Sequence, residues 1–136
     1  MAIDPRSHTP VYVQLADLLR RRIESGELTP GSALPSEARL TQEHGVGREA
    51  VRMAIALLRS EGLVVTVRGH GSYVREAPPR RRVELAPGAT VAARMPSGTE
   101  RRAMQLDEGV PVLEVRGPDG GVEVLPGDEV ELTRPA

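Results

Sequence analysis

Arg48 and Arg52 stand one helical turn apart in the stretch Gly45–Gly62, GVGREAVRMAIALLRSEG. The other side of this stretch carries apolar residues at the i, i+3, i+4, i+7 spacing of one helical face, namely Val51, Ala54, Ile55 and Leu58. Arginine is well suited to bind guanine O6 and N7 through two hydrogen bonds. A helix-turn-helix DNA reader needs such a helix, with one face in the core and its first turns toward the bases. The alternative is a surface helix with two solvated arginines.

The segments before this helix complete a helix-turn-helix pattern. Thr9-Pro10 is read as an N-cap and first helical position, and apolar residues then predict a first helix over 10–25, ended by Ser25-Gly26. Ser36 is a good N-cap for a second helix over 37–44, and the turn 45–47 leads into the arginine-bearing helix. Residues 32–34 are expected to pair as the third strand of a small sheet.

A β-hairpin is predicted directly after the third helix. The β-rich run 63–67 is followed by the turn Arg68-Gly69-His70-Gly71 and by a second strand over 72–74. In a winged helix, a hairpin in this place lies on the DNA and offers Arg68, Gly69 and His70 to phosphate or the minor groove. The alternative is an ordinary hairpin with a polar tip.

The composition limits the classes of function. The chain has 136 residues, no Cys and a net charge of −1, and its only aromatic residues are Tyr12 and Tyr73. We therefore expect an aliphatic core, no thiolate metal site, no cofactor and a cytoplasmic location, since no apolar run is long enough to span a bilayer. All Lys or Arg positions are occupied by Arg. Residues 1–75 contain ten Arg and eight acidic residues, whereas residues 76–136 contain eight Arg and eleven acidic residues.

Residues 10–75 resemble the DNA-binding domain of the GntR family of bacterial transcription regulators. Three segments carry the resemblance: PVYVQLADLLRRRIESGELTPGSALPSEARL, HGVGREAVRMAIALLRSEGLV and GHGSYV. The resemblance implies a homodimer that binds a palindromic double-stranded DNA operator. It also implies a C-terminal domain that dimerises and often senses a metabolite.

Several site residues are carried over by position. Arg48 and Arg52 match the family's base- and phosphate-contacting arginines, Arg68 and Gly69 match the wing tip, and Ser36 matches the cap near the DNA backbone. A further group lies at interface positions but departs from the family pattern. Some family members have an arginine where Ala38 stands, whereas here the arginine is one position later, at Arg39. The other members of the group are Gly47, Glu49 and Ala50. Glu49 either accepts from cytosine N4 or only favours the helix dipole.

The second half is predicted to be mostly β. Residues 76–82, EAPPRRR, are expected to form a linker whose arginines either touch flanking phosphates or are solvated. Strands are predicted over 83–85, 89–95, 110–115, 122–125 and 129–132. Ser97 and Glu100 form a capping box for a short helix through Leu106, with Ala103 and Leu106 facing inward.

The segment RMPSGTERRAMQLDEGVPVLEVRGPDGG resembles the opening of the UTRA effector domain of the HutC branch of this family. That resemblance makes Arg94 and Arg116 candidate ligands for a small anionic effector, if a pocket exists. The alternative is that both arginines are structural or exposed. The unit is shorter than a complete effector domain, and we expect it to pack on a copy of itself.

The expected fold is α+β, with a winged helix-turn-helix over 1–75, a linker over 76–82 and a small, mostly antiparallel β unit with one short helix over 83–136. The expected function is a DNA-binding transcription regulator, a repressor acting as a homodimer. Two alternatives stay open: a ligand-gated regulator that senses a small anion, and a winged-helix protein-interaction module. The three scattered histidines, without a nucleophile, metal set or phosphate loop, do not favour an enzyme.

Overall fold

The computed structural model describes residues 2–135, and its contacts divide the chain into two units that adjoin in sequence after Glu76. The described part of the N-terminal unit contains α1 Val11–Glu24, α2 Glu37–His44, α3 Arg48–Ser60, β1 Val64–Val67 and β2 Gly71–Val74. The described part of the C-terminal unit contains β3 Arg81–Glu84, β4 Thr90–Arg94, α4 Gly98–Ala103, β5 Val112–Arg116, β6 Val122–Pro126 and β7 Val130–Thr133. The α+β fold class is confirmed. None of the helices among these residues is long and apolar enough to cross a membrane.

The helix ends follow from short-range chemistry. The Ser36 hydroxyl accepts a hydrogen bond from the backbone N–H of Arg39 at 3.1 Å, and Gly45 ends α2 in the left-handed region at φ +63°. The predicted bounds 37–44 are therefore confirmed. The prediction that Thr9 is the N-cap of α1 is wrong, because Pro10 is the N-cap and no side chain caps the helix.

One aliphatic core holds the N-terminal unit together. The fully buried side chains of α1 and α3 are Leu15, Ala16, Leu19, Val51, Ala54 and Leu58. Leu28, Leu34, Leu40, Val64 and Val74 join them from α2, the hairpin and the connecting segment. This burial fixes which face of α3 is turned inward, so the opposite face is left for solvent or a ligand.

The hairpin pairs β1 with β2 in antiparallel register, from Val64 opposite Val74 to Val67 opposite Gly71. The expected third strand exists as an isolated bridge between Ala33 and Tyr73. Backbone hydrogen bonds on either side of it, such as Leu34 N–H to Ser72 O at 2.9 Å, fix the hairpin to the segment that precedes α2. The N-terminal unit therefore has the predicted winged helix-turn-helix topology.

The C-terminal unit contains an antiparallel sheet in the order β4-β5-β6 and a parallel pair, β3-β7. Arg81 and Arg82 belong to β3 and pair with Val130 and Glu131, so the end of the predicted linker is wrong. The pairing joins segments far apart in the sequence, and the local pattern carries no signal for it.

The short helix α4 has the predicted capping box, with Ser97 and Glu100 bonded reciprocally. It ends at Ala103, three residues before the predicted end, and Gln105 follows at φ +53°. Ala103 is exposed, so its predicted inward orientation is wrong, while Leu106 is half-buried.

Candidate nucleic-acid interface

Arg48 and Arg52 project from the first two turns of α3, on the side opposite the core. Their side chains are 80% and 62% exposed. The buried positions Val51, Ala54 and Leu58 fix the rotation of the helix about its axis, because each lies inward with no exposed surface. The structure thus places both predicted arginines on one accessible edge.

Glu37, at the first position of α2, contacts both arginines. Its Oε1 atom lies 3.6 Å from Arg48 Nε and 3.4 Å from Arg52 Nε. The same oxygen is buried and has no hydrogen-bond partner. The sequence reasoning missed Glu37, although its place directly after the cap Ser36 put an acid at the entrance of the motif.

Ser36 and Arg39 lie at the start of α2 beside this cluster. The Ser36 hydroxyl is committed to the helix cap, as described above. Arg39 is 70% exposed and donates from Nε to Glu43 Oε1 at 2.8 Å. This hydrogen bond holds the pKa of the exposed Glu43 carboxyl below its ordinary value.

The remaining residues predicted to contact DNA from the helices lie at the start of α3. Gly47 is the N-cap in extended backbone at φ −77°, with no side-chain cap. Glu49 is exposed in the first turn. Ala50 is half-buried and lines a hollow with His44 and Val46, away from the arginine edge. Gly47 lines the same hollow but is exposed, as Glu49 is, whereas Ala50 is only partly accessible.

The hairpin tip carries Arg68, Gly69 and His70, all exposed. The turn is closed by a hydrogen bond from the His70 N–H to the Val67 carbonyl at 2.9 Å, and Gly69 adopts φ +81°. A residue with a side chain is strained in that conformation, which explains the glycine. The predicted wing tip is formed as an accessible turn.

A hydrogen-bonded chain joins α3 to the hairpin. Arg59 Nη1 donates to Thr66 Oγ1 at 3.0 Å, and Thr66 Oγ1 lies 2.8 Å from Ser72 Oγ on the neighbouring strand. Glu37, Arg52 and these three residues line one concavity between α2, α3 and the hairpin. The sequence reasoning did not single out Arg59, Thr66 or Ser72.

The interface is mixed in charge. Exposed or half-exposed arginines lie on all of its parts, while Glu37, Glu43 and Glu49 lie among them. Arginines in this arrangement bind phosphate oxygens and base edges. Glycine backbone and a hydroxyl-capped helix start also permit close approach of a phosphate backbone.

In the C-terminal unit, Arg94 is held by two carboxylates. It donates to Glu100 at 2.8 Å through each terminal nitrogen and to Glu114 at 2.7 Å through Nε. The hydrogen bonds from Arg94 are the main cause that lowers the pKa of Glu100 to about 2, and the backbone hydrogen bond of the Ser97 cap is the second. Arg116 lies 3.5 Å from Glu114. An anion would have to displace these acids, so the geometry favours the structural alternative.

A surface pocket of about 370 Å³ lies in the same unit. It is lined by β3, the segment after it and the ends of β5 and β6, and its lining includes the acids Glu84 and Glu123. Neither Arg94 nor Arg116 lines it. The pocket and the two arginines therefore do not combine into an anion site.

Comparison with known proteins identifies the N-terminal unit. Residues 11–74 match the family described as bacterial regulatory proteins, gntR family. The chain is 45% identical over 69 residues to the mannosyl-D-glycerate transport/metabolism system repressor MngR of Escherichia coli (strain K12), an alignment covering 51% of this chain and 29% of that protein. The chain thus spans under a third of the length of the first curated relatives it matches.

Two solved structures extend this comparison. The GntR-family transcription factor YtrA from Sulfolobus acidocaldarius is 39% identical with a TM-score of 0.50, over 54% of this chain and 78% of that one. The AraR DNA-binding domain in complex with operator ORX1 is 34% identical with a TM-score of 0.50, over 54% of this chain and 92% of that one. Through the winged-helix domain in residues 11–74, the chain belongs to the GntR family of bacterial regulatory proteins.

Proposed function

We propose that this chain is a sequence-specific DNA-binding transcription regulator that represses its targets by binding a palindromic operator as a homodimer. One observation carries the proposal: Arg48 and Arg52 stand exposed on the first turns of α3, in a winged helix whose opposite face is fully packed. The AraR domain, which has this fold, is bound to operator DNA in its own structure.

The proposed division of roles follows the geometry. Arg48 and Arg52 reach the base edges of the major groove, where an arginine recognises guanine O6 and N7. Arg68, Gly69 and His70 contact the backbone or minor groove from the hairpin tip. Arg39 and the start of α2 contact phosphates, which position the domain without reading sequence. Two roles are retained for Glu49: it accepts a hydrogen bond from cytosine N4, or it only interacts favourably with the helix dipole.

The homodimer belongs to this proposal because a palindrome presents two equivalent half-sites. Two copies of α3 would read half-sites separated by about 10 bp or a small multiple of it. The C-terminal unit offers an edge strand for self-association: β4 is exposed from Thr90 to Ala93 and carries no charge over those residues. Uncharged, uncovered edge strands are prone to pair with another chain.

The first test is selection of bound sequences from a random pool of double-stranded DNA with the full chain. The proposal predicts a two-fold symmetric motif and affinity that falls with salt. The expected effect of Arg48→Ala or Arg52→Ala is a loss of operator affinity of about tenfold or more. Arg102→Ala removes the same charge from the C-terminal unit and serves as the matched control, with circular dichroism reporting the fold.

Enrichment of no motif by the wild-type chain, or equal operator binding by wild type and both α3 variants, would overturn the proposal. In that case the protein-interaction alternative becomes the better account. The dimer is tested separately by sedimentation of wild type and Val91→Glu, which places a charge on β4. A monomeric wild-type chain on its selected operator would contradict the homodimer.

The ligand-gated alternative receives no support from the geometry. Arg94 is bonded to two carboxylates, and the pocket of the C-terminal unit presents Glu84 and Glu123. An anionic effector would meet like charges at the pocket. A thermal-shift screen against small metabolites tests this, because a ligand that binds the native state raises the unfolding temperature.

A further inference from the structure

We propose that Glu37 is a positioning residue that determines base selectivity, by fixing the orientation of the Arg48 and Arg52 guanidinium groups. The inference rests on the proposed function. It assigns to an acid inside a DNA-binding surface a role that charge alone would not predict, since a carboxylate repels the phosphate backbone.

The geometry of the carboxylate carries the argument. Oε1 lies within ion-pair distance of two Nε atoms, at 3.6 Å from Arg48 and 3.4 Å from Arg52. It has no accessible surface and no hydrogen-bond partner, so the two arginines are its available compensation. An uncompensated buried carboxylate oxygen is costly, which ties the position of both Nε edges to this atom.

The fold fixes the backbone from which Glu37 reaches the two arginines. It is the first residue of α2, directly after the Ser36 cap, where an acid is stabilised by the helix dipole. Its side chain is 36% exposed, so it is partly enclosed at the crossing of α2 and α3. Leu40, one turn further along α2, is fully buried and anchors the helix to the core.

The contacted atoms determine what remains for DNA. A guanidinium carries Nε on its inner edge and two terminal nitrogens at its outer end. Glu37 approaches both arginines at Nε, so their terminal nitrogens remain available to other acceptors. A pair of terminal nitrogens matches the O6 and N7 acceptors of guanine.

The same charge disfavours non-specific binding. A phosphate oxygen that approaches either arginine also approaches Glu37, so contacts without a matching base are weakened. Orientation strengthens binding at the operator, and repulsion weakens binding elsewhere. Both effects raise the ratio of operator affinity to affinity for unrelated DNA, which is the measurable definition of selectivity.

The experiment measures dissociation constants of the full chain for its selected operator and for a scrambled duplex of equal length and composition, at two salt concentrations. Glu37→Gln is expected to tighten scrambled DNA and to lower the operator-to-scrambled ratio by about tenfold. Glu24→Gln changes the net charge equally at the end of α1, away from the arginines, and is expected to keep the ratio.

Glu37→Asp separates orientation from charge. It keeps the carboxylate and the helix-dipole contribution, but its shorter side chain withdraws the oxygen from both Nε atoms. The expected result is weaker operator binding, unchanged scrambled binding and a lower ratio. A purely structural role predicts instead that both duplexes weaken together as the unfolding temperature falls.

Two results are decisive. A wild-type ratio close to one overturns the proposed function itself. A high wild-type ratio that Glu37→Gln and Glu37→Asp both retain overturns the positioning role alone. If Glu37→Gln does not fold, the Glu37→Asp ratio decides the question in the same way.

Discussion

The N-terminal unit buries a continuous aliphatic core, whereas the C-terminal unit has few fully buried side chains. In the first unit, α1 and α3 contribute six side chains without exposed surface or nearly so, and the hairpin closes the core from the side. Among the described residues of the second unit, the buried apolar ones are Val110, Val112, Leu125 and Val130. Burial of apolar area is the main favourable term in folding, so the two units differ in what stabilises them.

Strand pairing and surface ion pairs connect the elements of the C-terminal unit. Arg94 joins β4, β5 and the start of α4 through Glu114 and Glu100. Exposed ion pairs contribute little to stability on their own. The unit is therefore the part of the chain that gains most from additional burial, which agrees with the proposed pairing of β4 with a second copy.

Leu58→Ala has the largest expected effect and breaks the core of the N-terminal unit. Leu58 is fully buried on α3. Its truncation leaves a cavity and is expected to lower the free energy of unfolding by about 2–5 kcal/mol. Tyrosine fluorescence measures this in denaturant, because Tyr12 and Tyr73 both lie in the N-terminal unit.

The same variant sharpens the comparison between the units. Amide resonances of β4 and β5 are expected to keep their wild-type positions while the tyrosine signal shifts to lower denaturant. Simultaneous loss of both signals would show that the two units unfold together.

Gly45→Ala is expected to have a smaller effect on the same unit. Gly45 ends α2 at φ +63°, where an added Cβ meets no neighbour but the backbone conformation is strained. The left-handed conformation costs a residue with a Cβ about 1–2 kcal/mol. Gly45→Asn tolerates this conformation better and is the matched variant, so equal destabilisation by Ala and Asn would contradict the explanation.

Acidification tests the ion pairs of the C-terminal unit. The pKa of Glu100 is lowered from 4.5 to about 2 by Arg94 and by the Ser97 cap. The ionised carboxylate therefore contributes stability that is present above pH 4.5 and is lost as the pH falls through about 2. Protection factors for amide hydrogen exchange in β4 and α4, taken against the intrinsic rate at each pH, are expected to fall across this window.

Glu100→Gln is the control for the acid effect. Glutamine keeps the capping box with Ser97 but cannot ionise, so the protection factors of this variant are expected to depend less on pH. An unchanged pH profile in Glu100→Gln would assign the acid sensitivity to other carboxylates.

Gly47→Ser has the smallest expected effect, and it is stabilising. Gly47 is the N-cap of α3 at φ −77°, and an added Cβ meets nothing within 4 Å. A serine hydroxyl there can accept a hydrogen bond from a free backbone N–H of the first turn, which is expected to raise the free energy of unfolding by about 0.3 kcal/mol. Thermal unfolding followed by tyrosine fluorescence checks the sign, and a lower unfolding temperature would contradict it.

Features set by short-range chemistry were predictable from the sequence. Ser36 and Gly45 fix both ends of α2, Gly62 follows α3, and the Ser97–Glu100 capping box starts α4. The apolar periodicity of α3 also predicted which residues lie in the core and, by exclusion, that Arg48 and Arg52 face outward. These signals act within a few residues and are readable without the tertiary structure.

Long-range contacts were not predictable in the same way. The parallel pairing of Arg81–Glu84 with Val130–Thr133 joins distant segments. The contact of Glu37 with the two arginines depends on how α2 crosses α3, which spacing does not encode. The end of the linker failed for this reason, whereas the Thr9 cap and the end of α4 were local features that the sequence pattern did not resolve.

The hydrogen-bonded chain Arg59–Thr66–Ser72 links α3 to both hairpin strands. On the proposed operator, the distance between the base edges under α3 and the backbone under the hairpin tip is then set by the protein. DNA has to supply the matching groove width, and stiff or poorly matched sequences pay a deformation energy to do so. Base pairs that no side chain touches would thereby contribute to operator choice through their flexibility.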